Sequence, residues 1–450
     1  MSQNDSLQEQ GLNRSVKSRQ LMMIAFGSSI GTGLFLGSAG SIQYAGPAVL
    51  ISFAIVGAIV YLLMRMLGEM AVEHPVSGSF AAYSREYISP AAGFITGWNW
   101  WFTTVVVGML ELTAMGTFMD YWFPGLPHWL TALITLLLVV GLNLLNVRVF
   151  AETEYWLSLV KVVALVLMIV LGFVLVVGIG PEPAIGLANI TEHGGFMPNG
   201  VTGVLFALVA VTFTFGGIMS VGTAAGEADN PTTAIPRAVK SVVWRILVFY
   251  LGGIGTIVLL APWNEQESNV SPFIRVLTGV GFGPAAAALN VVIVVAVFSV
   301  LNTMTYSGAR MLRDLARNGQ APRAFAATSA KGLPTRALLF DAALMGIVVI
   351  LNYFFEGKIF AVLLAIIVGT ELITWAGICI SHLNFRKHET SETFPAPFYP
   401  AANWVCIAFF ATVLVLMGIL PEYRLGLATL TGWIIVLGLI SLTTTRSRHA

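Results

Sequence analysis

The chain has little charge, little cysteine and little histidine. Asp, Glu, Lys and Arg make up only 10% of its 450 residues, against about 25% in soluble domains, while apolar residues reach 57% and the mean hydropathy is +0.83. That balance excludes an ordinary soluble domain and points to an integral membrane protein. Two cysteines, Cys379 and Cys406, both sit inside apolar runs, which excludes a disulfide framework and reads as buried thiols. Six scattered histidines offer no metal-ligand spacing, and neither GxxxxGK[ST] nor HExxH occurs. No cofactor, resident metal, ATP-driven step or covalent chemistry is therefore expected. The formal net charge of +1 gives no reason to expect a nucleic-acid partner. The first residues are polar and lack the apolar core and cleavage site of a signal peptide, so residues 1–19 read as a cytosolic tail.

What is abundant is long apolar runs. A helix needs about twenty apolar residues to cross the hydrocarbon core. On that basis twelve spans are expected, at about 20–44, 47–73, 91–123, 127–146, 153–179, 200–225, 239–262, 276–310, 337–355, 358–384, 403–420 and 425–443. They form one transmembrane domain, 20–443, followed by a short cytosolic tail at 444–450. The placement of basic residues supports the count. Nineteen Lys and Arg fall in alternate loops and three, Arg275, Lys358 and Arg424, on the other side, so both termini are expected in the cytosol. The basic segment 310–336 is expected to lie on the membrane surface between two spans.

Glycine is plentiful where a spanning helix should not want it. The first span contains GSSIGTGLF, Gly27 to Phe35, and the sixth contains FTFGGIMSVGTAAGE, Phe213 to Glu227. Paired interruptions at matching positions of two halves are the mark of transporters built from inverted repeats, here about 20–180 and 200–384, with the last two helices, 403–443, as additions. Interrupted backbone in a membrane leaves amides that must face protein, water or a ligand. A resumed half-helix attracts a carboxylate through its free N–H groups. Close packing of helices is the competing reading of the same glycines, and the one preferred for Gly27 and Gly37.

Taken together, GSSIGTGLFLGSA, MRMLGEMAVEHPVSGSFAAYSREY, ELTAMGTFMDYWFPGLPHW, AETEYWLSLVKV, FGGIMSVGTAAGEADNP and RMLRDLARNGQAP resemble the amino acid transporter family of the amino acid, polyamine and organocation superfamily. The resemblance runs over nearly the whole chain and is nearest to the aromatic amino acid and phenylalanine permeases. It implies an all-α, leucine-transporter-like fold of five-plus-five inverted repeats, with twelve helices of which the first and sixth are broken. It also implies import of amino acids across a bacterial cytoplasmic membrane, usually driven by protons. Carried over residue by residue, it assigns Gly31, Thr32 and Gly33 to the substrate carboxylate. Gly216, Gly217 and Ile218 fall to the ammonium, and Phe213 to an aromatic cap. Lys161 matches a fifth-span lysine whose ammonium stands where sodium-dependent relatives hold a structural sodium ion.

Ionisable residues inside a bilayer are expensive and mark function by default. Lys161 is one, although two turns into its span it could instead snorkel to the interface. Glu111, in the third span, either relays protons or bonds neighbouring helices. Relatives carry an acidic residue in the sixth-span motif where this chain has Met219, and Glu371 places a carboxylate in the tenth span where the family pattern leads one to expect an apolar residue. Glu371 either takes over part of the missing charge or is an inward-facing, protonated Glu that pairs with Thr374 or another helix. In the eighth span Asn302, Thr303 and Tyr306 either line a cavity or join helices. The favoured function is proton-coupled import of aromatic amino acids. The alternatives are an exchanger or facilitator, a permease for histidine or proline, and a non-transporting sensor. The oligomeric state is left open.

Overall fold

The computed structural model describes residues 30–76, 79–145, 147–179, 185–219, 231–266, 270–279, 281, 283–329, 332–355, 359–389 and 391–446. The tail at 1–19, Gly27 and the ends of the 20–44 and 444–450 segments lie outside them. Every regular element among the described residues is helical. A π-helical turn, Gly33–Gly37, runs into α1 (Ser38–Ala45), and a 3-10 turn at Gly46–Ala48 leads into α2 (Val49–Glu73). There follow α3 (Ser79–Tyr87), α4 (Pro90–Met119), α5 (His128–Asn143), α6 (Val147–Val177) and α7 (Gly200–Thr214). Next come α8 (Pro231–Trp244), a π-helical segment Arg245–Gly252, α9 (Gly253–Leu260), α10 (Pro272–Gly279) and α11 (Gly283–Arg317). The chain ends with α12 (Thr335–Met345), α13 (Ile347–Phe354), α14 (Ile359–Phe385), α15 (Ala401–Ile419) and α16 (Pro421–Arg446).

Among the described residues nine helical stretches are long and apolar enough to cross a membrane, and α5 and α7 are shorter apolar helices. The expected first and second spans merge in that count into one stretch, Gly33–Glu73, bent at the 3-10 turn. This is a multi-pass membrane protein. The longest helix, α11, packs along α4, α14 packs on α4, and α7 lies against α1, so the two glycine-interrupted segments meet in the middle of the bundle. The outer helices face lipid. On α6, Val163, Leu167, Val170 and Phe173 are exposed, while Glu154, Ser158, Lys161, Leu165 and Met168 are buried at helical spacing. The polar side of that helix therefore turns inward, as a bilayer requires.

The basic segment from Arg310 divides at Arg317: the described residues from there to Ser329 are exposed or half-buried, and only the part before it enters the bundle. Its first eight residues complete α11, and Met311, Leu312, Leu315 and Ala316 are buried in the bundle. Their spacing continues the apolar stripe of the helix, so the helical period carries the chain inward despite the charge.

Candidate functional site

A narrow cavity of about 30 Å3 opens where the interrupted segments meet. Gly31, Thr32 and Gly33 line it from the first segment, and Phe213, Thr214, Gly216 and Gly217 from the second. Glu111 on α4 and Glu371 on α14 supply the carboxylates, and Val107, Val300, Met304 and Ile367 the apolar wall. Of the residues expected to hold substrate, Ile218 is buried but does not line this space.

The backbone at both interruptions departs from the α-helix. Ile30 and Gly31 form a bend, and the amides of Leu34 and Phe35 both reach the Gly31 carbonyl, at 3.1 and 3.2 Å. Helix α7 stops at Thr214, and the 3-10 turn Gly216–Met219 follows, with the Ile218 amide donating to the Phe215 carbonyl at 3.2 Å. A helix start and a helix end face one another here, each with backbone groups its own helix cannot use. The Thr214 hydroxyl donates to the Gly33 carbonyl at 3.3 Å and ties the two together.

Two glycines make this approach possible. A Cβ on Gly33 would stand 2.9 Å from the Thr214 Cα, and one on Gly216 would stand 2.7 Å from Glu371 Oε1. The Phe213 ring lies over Gly33 and also over Gly37, so Gly37 gives room to that ring, in keeping with a packing role.

The charged residues divide into two groups. Thr32 donates its hydroxyl to Glu111, so the third-span carboxylate reaches across to the first interruption and occupies that hydroxyl. Glu371 lies against Gly216, and its Oε2 has no hydrogen-bond partner among the described residues. It does not pair with Thr374, whose hydroxyl donates to the Thr370 carbonyl at 3.2 Å. Met219 is fully buried on the 3-10 turn beside it.

Lys161 stands apart from the cavity. It is fully buried and its Nζ donates to Ser299 Oγ on α11 at 2.8 Å, so it does not snorkel to the interface. Ser299 in turn donates to Glu154, one helical stripe below Lys161 on α6. Asn302 donates to Glu154 at 3.3 Å and accepts from Asn143 on α5 at 2.8 Å. Asn302 thus joins helices, and neither it, Thr303 nor Tyr306 lines the cavity. Sequence reasoning passed over Glu154. The signal was present in the spacing of Glu154, Ser158 and Lys161, three polar residues on one face of a lipid-facing helix.

The amino acid permease family matches residues 20–443. The chain belongs to that family. The permease is 40% identical over 432 residues to the aromatic amino acid transport protein AroP of Escherichia coli strain K12, a match covering 95% of this chain and 94% of that one. AroP of Salmonella typhimurium strain LT2 is likewise 40% identical over 431 residues, covering 95% and 94%. The uncharacterized amino acid permease YtnA of Bacillus subtilis strain 168 is 39% identical over 437 residues, covering 96% and 94%. The permease is thus a transport protein and not an enzyme.

Proposed function

We propose that the permease imports amino acids across the bacterial cytoplasmic membrane with protons, and that aromatic amino acids are its main substrates. The observation that carries this reading is the meeting of two interrupted helices at one cavity that is polar at both backbone ends and apolar between them. In this reading the amides of Gly31, Thr32 and Gly33 take the substrate carboxylate, where a helix start favours an anion. The carbonyls at Gly216, Gly217 and Ile218 take the ammonium, and Glu371 supplies the negative charge that Met219 does not. Phe213 closes over the side chain, with Val107, Val300, Met304 and Ile367 around it. An apolar pocket separates apolar side chains by only about 1 to 3 kcal/mol per methylene, so a preference among aromatic residues is expected to be graded. The likeness to AroP, named for aromatic amino acid transport, supports the substrate class.

Lys161 and Glu111 are the proposed coupling groups, with Glu371 sharing the charge. Lys161 and Glu111 are buried within electrostatic reach of one another. The proposed frame is twelve spans in five-plus-five inverted repeats, helices one and six broken, both termini cytosolic. A second reading, exchange without obligatory proton flow, is favoured by one observation: Met219 stands buried where the family resemblance leads one to expect an acid.

The test is uptake of labelled phenylalanine into proteoliposomes, under an imposed proton gradient and then a sodium gradient, with all twenty amino acids as competitors. Accumulation driven by protons, with aromatic amino acids the strongest competitors, is expected. Absence of phenylalanine uptake overturns the aromatic assignment, dependence on sodium overturns the role of Lys161, and counterflow without proton-driven accumulation selects the exchanger.

A further inference from the structure

We propose that Glu154 is the proton acceptor for Lys161, with Ser299 as the bridge between them. The inference rests on the reading of the permease as a proton-coupled transporter. Glu154 lies seven residues before Lys161, about 10 Å along α6 at about 1.5 Å per residue. Both are fully buried on the one face of that helix that turns away from lipid. Two charges at this depth persist only when paired and hydrogen-bonded. Here the pairing is indirect, and its hydrogen-bond directions are those of a relay. The ammonium of Lys161 donates to Ser299 Oγ at 2.8 Å, and the Ser299 hydroxyl donates to Glu154 Oε1.

The transfer balances. Ser299 passes its hydroxyl proton to the carboxylate as its oxygen takes a proton from the ammonium. A charged pair becomes a neutral amine and a neutral carboxylic acid, and the serine is unchanged. Neutralising both groups together relieves the cost of holding two ions out of water, so the step needs no outside charge. Asn302, donating to Glu154 Oε2 and held in turn by Asn143, fixes the carboxylate on the bridge. The Ser158 hydroxyl, buried on the same face between the two charges, has no hydrogen-bond partner among the described residues. Glu111, on α4, is the further ionisable group in electrostatic reach of Lys161, and it is in the cavity wall. The line from Glu111 through Lys161 to Glu154 leads from the cavity toward the Val147 end of α6, the end that the distribution of basic residues assigns to the cytosol.

The experiment compares two fluxes through E154Q, S299A and S299T in proteoliposomes: acidification of a trapped pH dye per phenylalanine imported, and phenylalanine exchange at equal pH. E154Q and S299A are expected to lower acidification per substrate by about tenfold or more. Exchange should be retained, and S299T, which keeps a hydroxyl, should restore acidification. The pH dependence of uptake should flatten in E154Q. Undiminished acidification in E154Q, or equal loss of exchange and acidification in both E154Q and S299A, overturns the relay. A wild type that imports phenylalanine without acidifying the lumen overturns the symport reading, and the relay with it; acidification by wild type and E154Q alike overturns the relay alone.

Discussion

Glu69 and Glu371 are both buried glutamates of a membrane bundle, and they have opposite surroundings. Glu69, near the end of α2, is ringed by partners: His382 Nε2 at 2.9 Å, the Ala396 amide at 2.7 Å and the Ser391 amide at 3.2 Å donate to it, and the Arg386 guanidinium forms an ion pair with it at 2.8 Å. Asn403 donates to the other nitrogen of His382 at 3.0 Å, which leaves Nε2 to carry the proton toward Glu69. Glu371, on α14, is in the cavity wall with its Oε1 beside Gly216 and the Trp375 side chain near its carboxylate, and its buried Oε2 has no hydrogen-bond partner among the described residues. Buried polar groups in folded proteins are satisfied in the great majority, and an exception calls for an explanation. The fully partnered carboxylate locks helix ends, and under the proposed function the one with an unpartnered oxygen is held for the substrate.

That contrast predicts opposite signatures on substitution. Glu69→Gln should lower stability by about 3 to 5 kcal/mol, because it strands Arg386 and two amides, and should leave the KM of the folded fraction unchanged. Thermal unfolding in detergent alongside uptake checks this. Gly33→Ala pushes a methyl into the Thr214 backbone and should cost about 1 to 3 kcal/mol of overpacking, read as loss of transport in well-folded protein. Glu371→Gln should leave stability intact and weaken substrate affinity about tenfold, or about 1.4 kcal/mol. Adding Met219→Glu to it should recover part of that loss. Unchanged uptake and unchanged pH dependence in Glu371→Gln ends the compensation idea. The smallest effect is expected from Thr214→Val, which removes one hydrogen bond between the interruptions, worth about 1 kcal/mol. Were Glu69→Gln to weaken substrate binding without destabilising the fold, the division between lock and site would fail.

The parts of this account that sequence alone made legible are local or repeated. Paired glycine interruptions read as a site because both carry the same irregularity, and they do meet in space, with Glu111 and Glu371 beside them. Glu371 stood out because a carboxylate in an apolar run is costly, although a hydrogen bond to a neighbouring helix would also account for it. The partners of those residues were not legible. That Thr32 donates to Glu111, Lys161 to Ser299 and His382 to Glu69 depends on the register between helices far apart in sequence, which no pattern within one helix reports. The basic segment after Arg310 misled for a physical reason. Charge suggested a surface for all of it, which fits the exposed residues after Arg317, while the apolar period beneath the first turns continued α11 into the bundle.

The central claim is that the two interruptions form one site that reads both ends of an amino acid. Competition against labelled phenylalanine by phenethylamine, which lacks the carboxylate, and by 3-phenylpropionate, which lacks the ammonium, tests it most directly. Each analogue should bind about tenfold to hundredfold more weakly than phenylalanine, since each leaves charged or backbone partners unpaired. An analogue lacking either group that competes as well as phenylalanine would contradict the account.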